Sequence, residues 1–216
     1  MVRVLAETNS VANNFLAELR DVELQKDGLR FRRNLERLGE IFAYEISKTL
    51  DFNETEVITP LGTATVKKSE KNIVLATILR AGLPMHQGML NYFDFAGNAF
   101  ISAYRKHHKD GSFEINLQYI TCPDLNNSVL IITDPMLATG QSIAKTLKEL
   151  TRYGKPKSIH IVSAIAAREG VDHVHRYLPS AHLWLGDIDE ELTAKTYIVP
   201  GLGDAGDLSF GEKLQN

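Results

Sequence analysis

In FRRNLERLGEIFAYEISKTL the apolar positions Phe31, Leu35, Leu38, Phe42 and Ile46 recur every three to four residues, which puts them on one face of a helix. On this pattern the first fifty residues read as helical. TEVITPLGTATVKK then changes character, with Pro60 and Gly62 marking the turn of a short hairpin. A repeating unit follows. NIVLATIL reads as a strand and RAG as a tight loop, and Pro84 suits the first turn of the helix PMHQGMLNYF. AFISAYR and FEINLQYI are strand-like runs joined by the polar KHHKDGS, so 99–120 reads as a hairpin with a flexible loop. VLIIT leads into one helix, SIHIVSAIAA leads into REGVDHVHRYL, and HLWLGDI adds a further strand. Strands alternating with helices predict an α/β fold, a mainly parallel sheet with helices on both faces. The N-terminal helices over 1–50 and a β-hairpin flap would be attached to it. Ligands of such sheets sit at the carboxyl ends of the strands.

Composition narrows the setting. A length of 216 residues fits one domain spanning 1–216, large enough to fold without staples. A formal charge of −3 argues against general attraction to nucleic acid or anionic membrane. One cysteine, Cys122, excludes an internal disulfide framework and suits a reducing compartment. No run approaches the roughly 18 apolar residues a membrane span requires, and MVRVLAETNSVANNFLAELR has no signal-peptide core. The expected location is cytoplasmic.

Four loops carry candidate chemistry. After VLIIT, Asp134 stands where the strand emerges, and Ala138-Thr139-Gly140-Gln141-Ser142 opens the next helix. Free N–H groups at a helix start, flanked by small residues, bind anions, and Thr139 and Ser142 add hydroxyl donors. Asp134 would repel a phosphate but suits the neutral hydroxyls of a sugar attached to one. The plainer reading is a capped helix with Asp134 as a turn residue. In ILRAGL, Arg80 ends a strand ahead of two small residues and can fork onto a diphosphate, unless it is merely a surface arginine. The basic stretch Tyr104-Arg105-Lys106-His107-His108-Lys109 reads as a loop able to close over an anion, or as a solvated hairpin tip. The last is YIVPGLGDAGD, 197–207, where three glycines and two acids can offer backbone groups to a flat polar ligand.

Other chemistries fail on context. Gly201, Gly203 and Gly206 match G-x-G-x-x-G, but only ten residues follow them, too few for a helix and a further strand. No G-x-x-x-x-G-K-[ST] occurs. Ser142 stands too far beyond its strand for a nucleophile elbow, which disfavours an esterase. His107 and His108 lack a third ligand at suitable spacing, and His173 and His175 do not share a helix face, so all four are read as non-metal residues.

TDPMLATGQS resembles the ribose-phosphate loop of the type I phosphoribosyltransferases, and with ILRAGL, AYR and YIVPGLGDAGD the chain is similar to their uracil branch from about Arg30 to Gly211. Pro135 stands where most of the superfamily has a second acid, as in that branch. The resemblance implies that Asp134, Pro135, Met136, Leu137, Ala138, Thr139, Gly140, Gln141 and Ser142 bind phosphoribosyl pyrophosphate. In that picture Asp134 meets ribose hydroxyls, the backbone from Leu137 to Ser142 holds the 5-phosphate, and Arg80 and Arg105 meet the diphosphate. Ile198, Gly203, Asp204 and Ala205 would bind uracil, largely through main-chain groups. Asp204 would also face the phosphoribosyl side through Mg²⁺ or its waters, with no direct protein ligand to the metal. The implied reaction joins uracil to the sugar phosphate, giving UMP and diphosphate in pyrimidine salvage, with Asp204, Arg105 and Arg80 as its catalytic groups. A homo-oligomer, dimer or tetramer, and activation by GTP are implied as well. Gln141, the segment His86-Gln87-Gly88, the loop after Arg105 and Leu208 depart from the family's usual residues. A competing class is a regulatory protein of the same fold that senses nucleotides or RNA, against which stand the intact 197–207 loop and the absence of a strong basic patch.

Overall fold

A computed structural model describes residues 1–107 and 113–214, with the side chains of 1–102 and 118–214. The chain opens with a short strand β1 (Val2–Val4), then α1 (Val11–Arg20) and α2 (Gly28–Ser47). Strands β2 (Phe52–Thr59) and β3 (Gly62–Ser69) precede β4 (Ile73–Leu79), α3 (Leu83–Leu90), β5 (Gly97–His107) and β6 (Phe113–Thr121). Next come β7 (Val129–Thr133), β8 (Met136–Leu137), α4 (Gln141–Leu150), β9 (Ser158–Ala167), α5 (Arg168–Tyr177) and β10 (His182–Asp189). Two short strands, β11 (Glu191–Leu192) and β12 (Ile198–Val199), and the helix α6 (Ala205–Phe210) complete the set.

The main sheet runs β1-β10-β9-β7-β4-β5-β6. Every pairing is parallel except β5 with β6. Its inner strands are apolar on both faces, as a sheet covered on two sides requires: all five residues of β7 are buried. Alternate residues serve the two layers. Ile73 and Leu75 of β4 and Val129 and Ile131 of β7 pack with α1, α2 and α3, whereas Val74, Ala76, Leu130 and Ile132 pack with α4 and α5. The strand–helix alternation predicted this architecture.

Local signals explain the helix ends. Ser10 caps α1 in a reciprocal box with Asn13, and the Asp27 carboxylate accepts from the N–H groups of Leu29 and Arg30 to start α2. Phe31, Leu35, Leu38, Phe42 and Ile46 are all buried, as their spacing predicts. Where α2 meets α3, the two helices approach backbone to backbone: a Cβ on Gly39 would stand 3.2 Å from the Cα of Gly88, and one on Gly88 2.9 Å from the Glu40 nitrogen.

One feature departs from the sequence-based expectation. The first fifty residues are not wholly helical, because Val2–Val4 pairs with β10 in the register Val2↔Leu183. Three residues are too few to show a period, and it is the partner strand that makes them a strand. Hairpin β2–β3 forms as expected with its turn at Pro60 and Leu61, and most of its residues are exposed, Ile58 by 94% and Leu61 by 99%. No helix among the described residues is long and apolar enough to cross a membrane.

Candidate functional site

The acid at the end of β7 emerges as its position implies. Asp134 is half-buried, its N–H donates to the Val162 carbonyl of β9, and its Oδ1 accepts from the Met136 N–H at 3.3 Å. Met136 and Leu137 then pair with Ile165 and Ala166 as β8, a short strand the sequence pattern does not reveal. Pro135, Ala138 and Thr139 are buried. Gly140 takes the left-handed conformation with φ +76°, and α4 proper starts at Gln141. No side chain of the cap residue covers this helix start, and the Thr139 hydroxyl only approaches the Gln141 N–H at 3.4 Å. Open N–H groups at the head of a ten-residue helix are the geometry that an anion cradle requires.

The 137–142 loop is backed by a residue that sequence reasoning missed. Gly170, in the first turn of α5, abuts the Leu137 and Ala138 carbonyls so closely that a Cβ would stand 2.7 Å from the Leu137 oxygen. From the opposite side, a Cβ on Gly140 would stand 3.0 Å from the Gly170 oxygen. The signal in the sequence was a glycine inside an otherwise ordinary helix start.

The arginine loop lies beside this one. A Cβ on Gly82 would meet the Thr133 carbonyl at 2.7 Å, so the turn after β4 rests against the end of β7. The Leu79–Arg80 peptide is cis. Exposed Arg80 then reaches the chain's tail, donating from Nη2 to Asp207 Oδ1 at 3.0 Å and to the Gly211 carbonyl at 3.3 Å. Loops 80–82, 133–142 and 204–211 are therefore contiguous although up to 131 residues separate their members. Arg105 lies on β5 opposite Ile115, and its side chain is outside those described. Lys106 and His107 share that position, and His108 and Lys109 fall outside the described residues.

The tail is more ordered than a glycine count suggests. Ile198 is buried on β12, which pairs antiparallel with β11. The Val199–Pro200 bond is cis, and Gly201 at φ +57° folds back onto Ile198. Gly203, at φ +93°, is exposed, and the nearest atom to a Cβ there would be Leu208 Cδ1 at 3.8 Å. Ala205 is buried at the head of α6. The Asp204 carboxylate divides its work. Oδ1 accepts from the Gly206 and Asp207 N–H groups at 2.9 and 3.0 Å, while Oδ2 accepts from Lys213 Nζ at 2.8 Å. Burial works to raise its pKa, but the bond from Lys213 and those from the α6 backbone hold it below the ordinary aspartate value. Lys213 also reaches Asp207 Oδ1 at 3.2 Å, so an ammonium bridges both acids.

Behind this loop stand three further residues that no motif marked. Arg20, at the end of α1, bonds Asp187 and Asp189 at the carboxyl end of β10 and the carbonyl of Gly201. Burial works against its charge, and the bonds to Asp189 and Asp187 more than offset that, raising its pKa. Other unusual residues have structural partners. His86 is buried with Nε2 2.8 Å from Asn98 Oδ1, which explains a histidine in α3, and Leu208 packs against the core. Gln141 is exposed on the rim of the cradle. Among the described residues, no group of three or more His, Cys, Asp or Glu is placed to hold a metal.

A strand-terminal acid followed by an uncapped, hydroxyl-bearing helix start, with an arginine turn packed beside it on a parallel sheet, places the protein among the type I phosphoribosyltransferases. Residues 6–212 match the family model described as uracil phosphoribosyltransferase, and the chain belongs to that family. A uracil phosphoribosyltransferase of Porphyromonas gingivalis is 52% identical over 97% of this chain and 98% of its own. One from Thermococcus gammatolerans is 40% identical over 93% and 89%. Among solved structures, the AQ2163 protein from Aquifex aeolicus superposes with a TM-score of 0.89 at 30% identity, covering 100% of both chains.

Proposed function

We propose that the protein transfers the phosphoribosyl group of phosphoribosyl pyrophosphate to N1 of uracil, releasing diphosphate and forming UMP, a pyrimidine salvage step. The observation that carries this reading is the chain of contacts from the β7 loop through Gly82 and Arg80 to Asp207, which gathers three ligand-type loops at one end of the sheet. In it the backbone from Leu137 to Ser142 holds the 5-phosphate and Asp134 orients the ribose hydroxyls. Backbone groups of Ile198, Gly203 and Ala205 meet the base edge. The C1–diphosphate bond breaks as uracil N1, giving up its proton to solvent water, bonds to C1 from the opposite face. Arg80 and Arg105 neutralise charge growing on the departing diphosphate. Alignment of the two substrates between facing loops supplies much of the acceleration.

Mg²⁺ suits the residues present. The Lys213 ammonium against Asp204 and Asp207 marks a position that accepts a cation, and two carboxylates with no third fit an ion that keeps waters and binds mainly through substrate phosphates. Bound there, the ion would offset negative charge on the diphosphate. A homo-oligomer is part of the proposal, supported by the exposed apolar tip of β2–β3 and checked by light scattering. Activation by GTP rests on family membership alone and is checked by titrating GTP against turnover. A cytoplasmic setting agrees with Cys122, a free thiol whose pKa burial raises to about 11. Incubating the purified protein with uracil, phosphoribosyl pyrophosphate and Mg²⁺ tests the reaction. Stoichiometric UMP and diphosphate are expected, and their absence would sink the proposal.

A further inference from the structure

Gly201 is gripped at both of its backbone groups by side chains from other parts of the fold. Its carbonyl accepts from Arg20 Nη1 at 3.0 Å, and its N–H donates to Asp189 Oδ2 at 2.9 Å. The two gripping residues are themselves paired. Arg20 Nη1 meets Asp189 Oδ2 at 2.8 Å, while Nη2 meets Asp189 Oδ1 at 2.9 Å and Asp187 Oδ2 at 2.8 Å. Asp189 is only 6% exposed. A planar guanidinium is the one side chain that can serve two carboxylates and a carbonyl together with fixed angles.

Stability alone is a weak reason for such an arrangement. An ion pair with one partner buried and the other half-buried costs desolvation that offsets much of its attraction, and apolar residues of the same volume often serve the fold equally well. Directional bonding is what an apolar cluster lacks, and here the directions converge on one backbone residue. That residue sits two positions before Gly203, whose exposed backbone belongs to the proposed base-binding set. None of the bonds reaches the 134–142 loop or Arg80.

We infer that Arg20, acting through Asp189 and Gly201, is a positioning residue that fixes the backbone of 201–204 for recognition of the pyrimidine edge. This rests on the proposed reading of that loop. The selectivity follows from geometry: loosening Gly201 moves the groups that meet the base and leaves the phosphate cradle on β7, β8 and α4 where it is.

The test compares Arg20→Ala, Arg20→Lys and Asp187→Asn with the unmodified protein. Arg20→Ala is expected to raise the KM for uracil about tenfold or more, with the KM for phosphoribosyl pyrophosphate within about twofold. Free guanidinium should recover part of the loss. Arg20→Lys keeps the charge but loses the fork, so it should shift in the same direction and still fold, which guards against a misfolded alanine variant deciding the matter. Asp187→Asn leaves the Asp189 and Gly201 bonds and should behave nearly as the parent. Hydrogen exchange supplies a readout independent of turnover: the amides of 201–205 should exchange about tenfold faster in the Arg20 variants, with those of 138–142 unchanged. If the parent makes no UMP, the proposed reaction falls, and the exchange pattern still decides the anchoring. Equal changes in both KM values, or unaltered exchange at 201–205, would overturn the inference.

Discussion

A single methyl at position 170 should test the phosphate cradle without altering any group that meets ligand. In Gly170→Ala the new Cβ would lie 2.7 Å from the Leu137 oxygen and nearer still to that of Ala138, whereas Cβ atoms in proteins stay beyond 3.0 Å. Both obstacles are backbone, and the loop they belong to is paired to β9 as β8, so neither can swing aside as a side chain would. The cradle or the start of α5 must retreat by roughly 0.5–1 Å, an overpacking cost of about 1–3 kcal/mol. For a chain of this length that lowers the melting temperature by about 3–10 °C. Misplacement on the order of 1 Å at a positioning group costs up to about a hundredfold in rate. The expected result is therefore a kcat/KM for phosphoribosyl pyrophosphate reduced about ten- to a hundredfold, with the KM for uracil at saturating co-substrate within about twofold. Steady-state UMP formation at varied substrate, paired with thermal melting, measures both. A variant that melts lower but uses phosphoribosyl pyrophosphate as well as the parent would show that 137–142 does not hold the 5-phosphate.

Asp204→Asn keeps a side-chain oxygen for the Gly206 and Asp207 N–H groups but loses the charge beside Lys213, so turnover should fall at least about tenfold with the melting temperature shifted by no more than about 2 °C. Equal activity would remove Asp204 from the chemistry. Gly88→Ala would gain about 1 kcal/mol of helix propensity, yet its Cβ runs into the backbone of Glu36 and Glu40. A net loss of about 1–3 kcal/mol by urea titration is expected, with both KM values unchanged. Burial first, and His182 stacked beside it second, depress the His160 pKa from 6.5 to about 4. The unfolded chain then takes up a proton that the folded chain resists, so this contribution is complete above about pH 6.5 and is lost as pH falls toward about 4, at most about 3 kcal/mol in all. Urea titrations at about pH 7.5 and about pH 5 measure it, and a His160→Gln variant that retained the full difference would refute the assignment.

Much of this was legible in the chain because it was local. VLIIT followed by Asp134, NIVLATIL followed by Arg80, and the glycines around Asp204 each carry strand, acid or base, and turn within a dozen residues. Period and turn chemistry are short-range signals, and the sheet with its two helical layers follows from repeating them. What the sequence hid was long-range. Val2–Val4 becomes a strand only against Leu183–Leu185, and Met136–Leu137 only against Ile165 and Ala166. Arg20 meets Asp187 and Asp189 across 167 and 169 residues, and no spacing rule connects them.

The division has a physical basis in how a ligand loop is made. Its contact groups must be small, hydroxylated or backbone, so that ligand can approach, and such residues have little means of holding themselves in place. In the proposed site Gly140 and Gly201 show the consequence, each lying against backbone or side chains supplied by another element. Residues that bind are therefore recognisable by type and clustering, whereas residues that anchor are ordinary charged or apolar side chains whose role exists only in three dimensions. In the proposed site Asp204 belongs to both sets at once. One of its oxygens fixes the head of α6 while the other faces a cation, which is why a motif can name Asp204 and still not say which of its atoms is available to ligand.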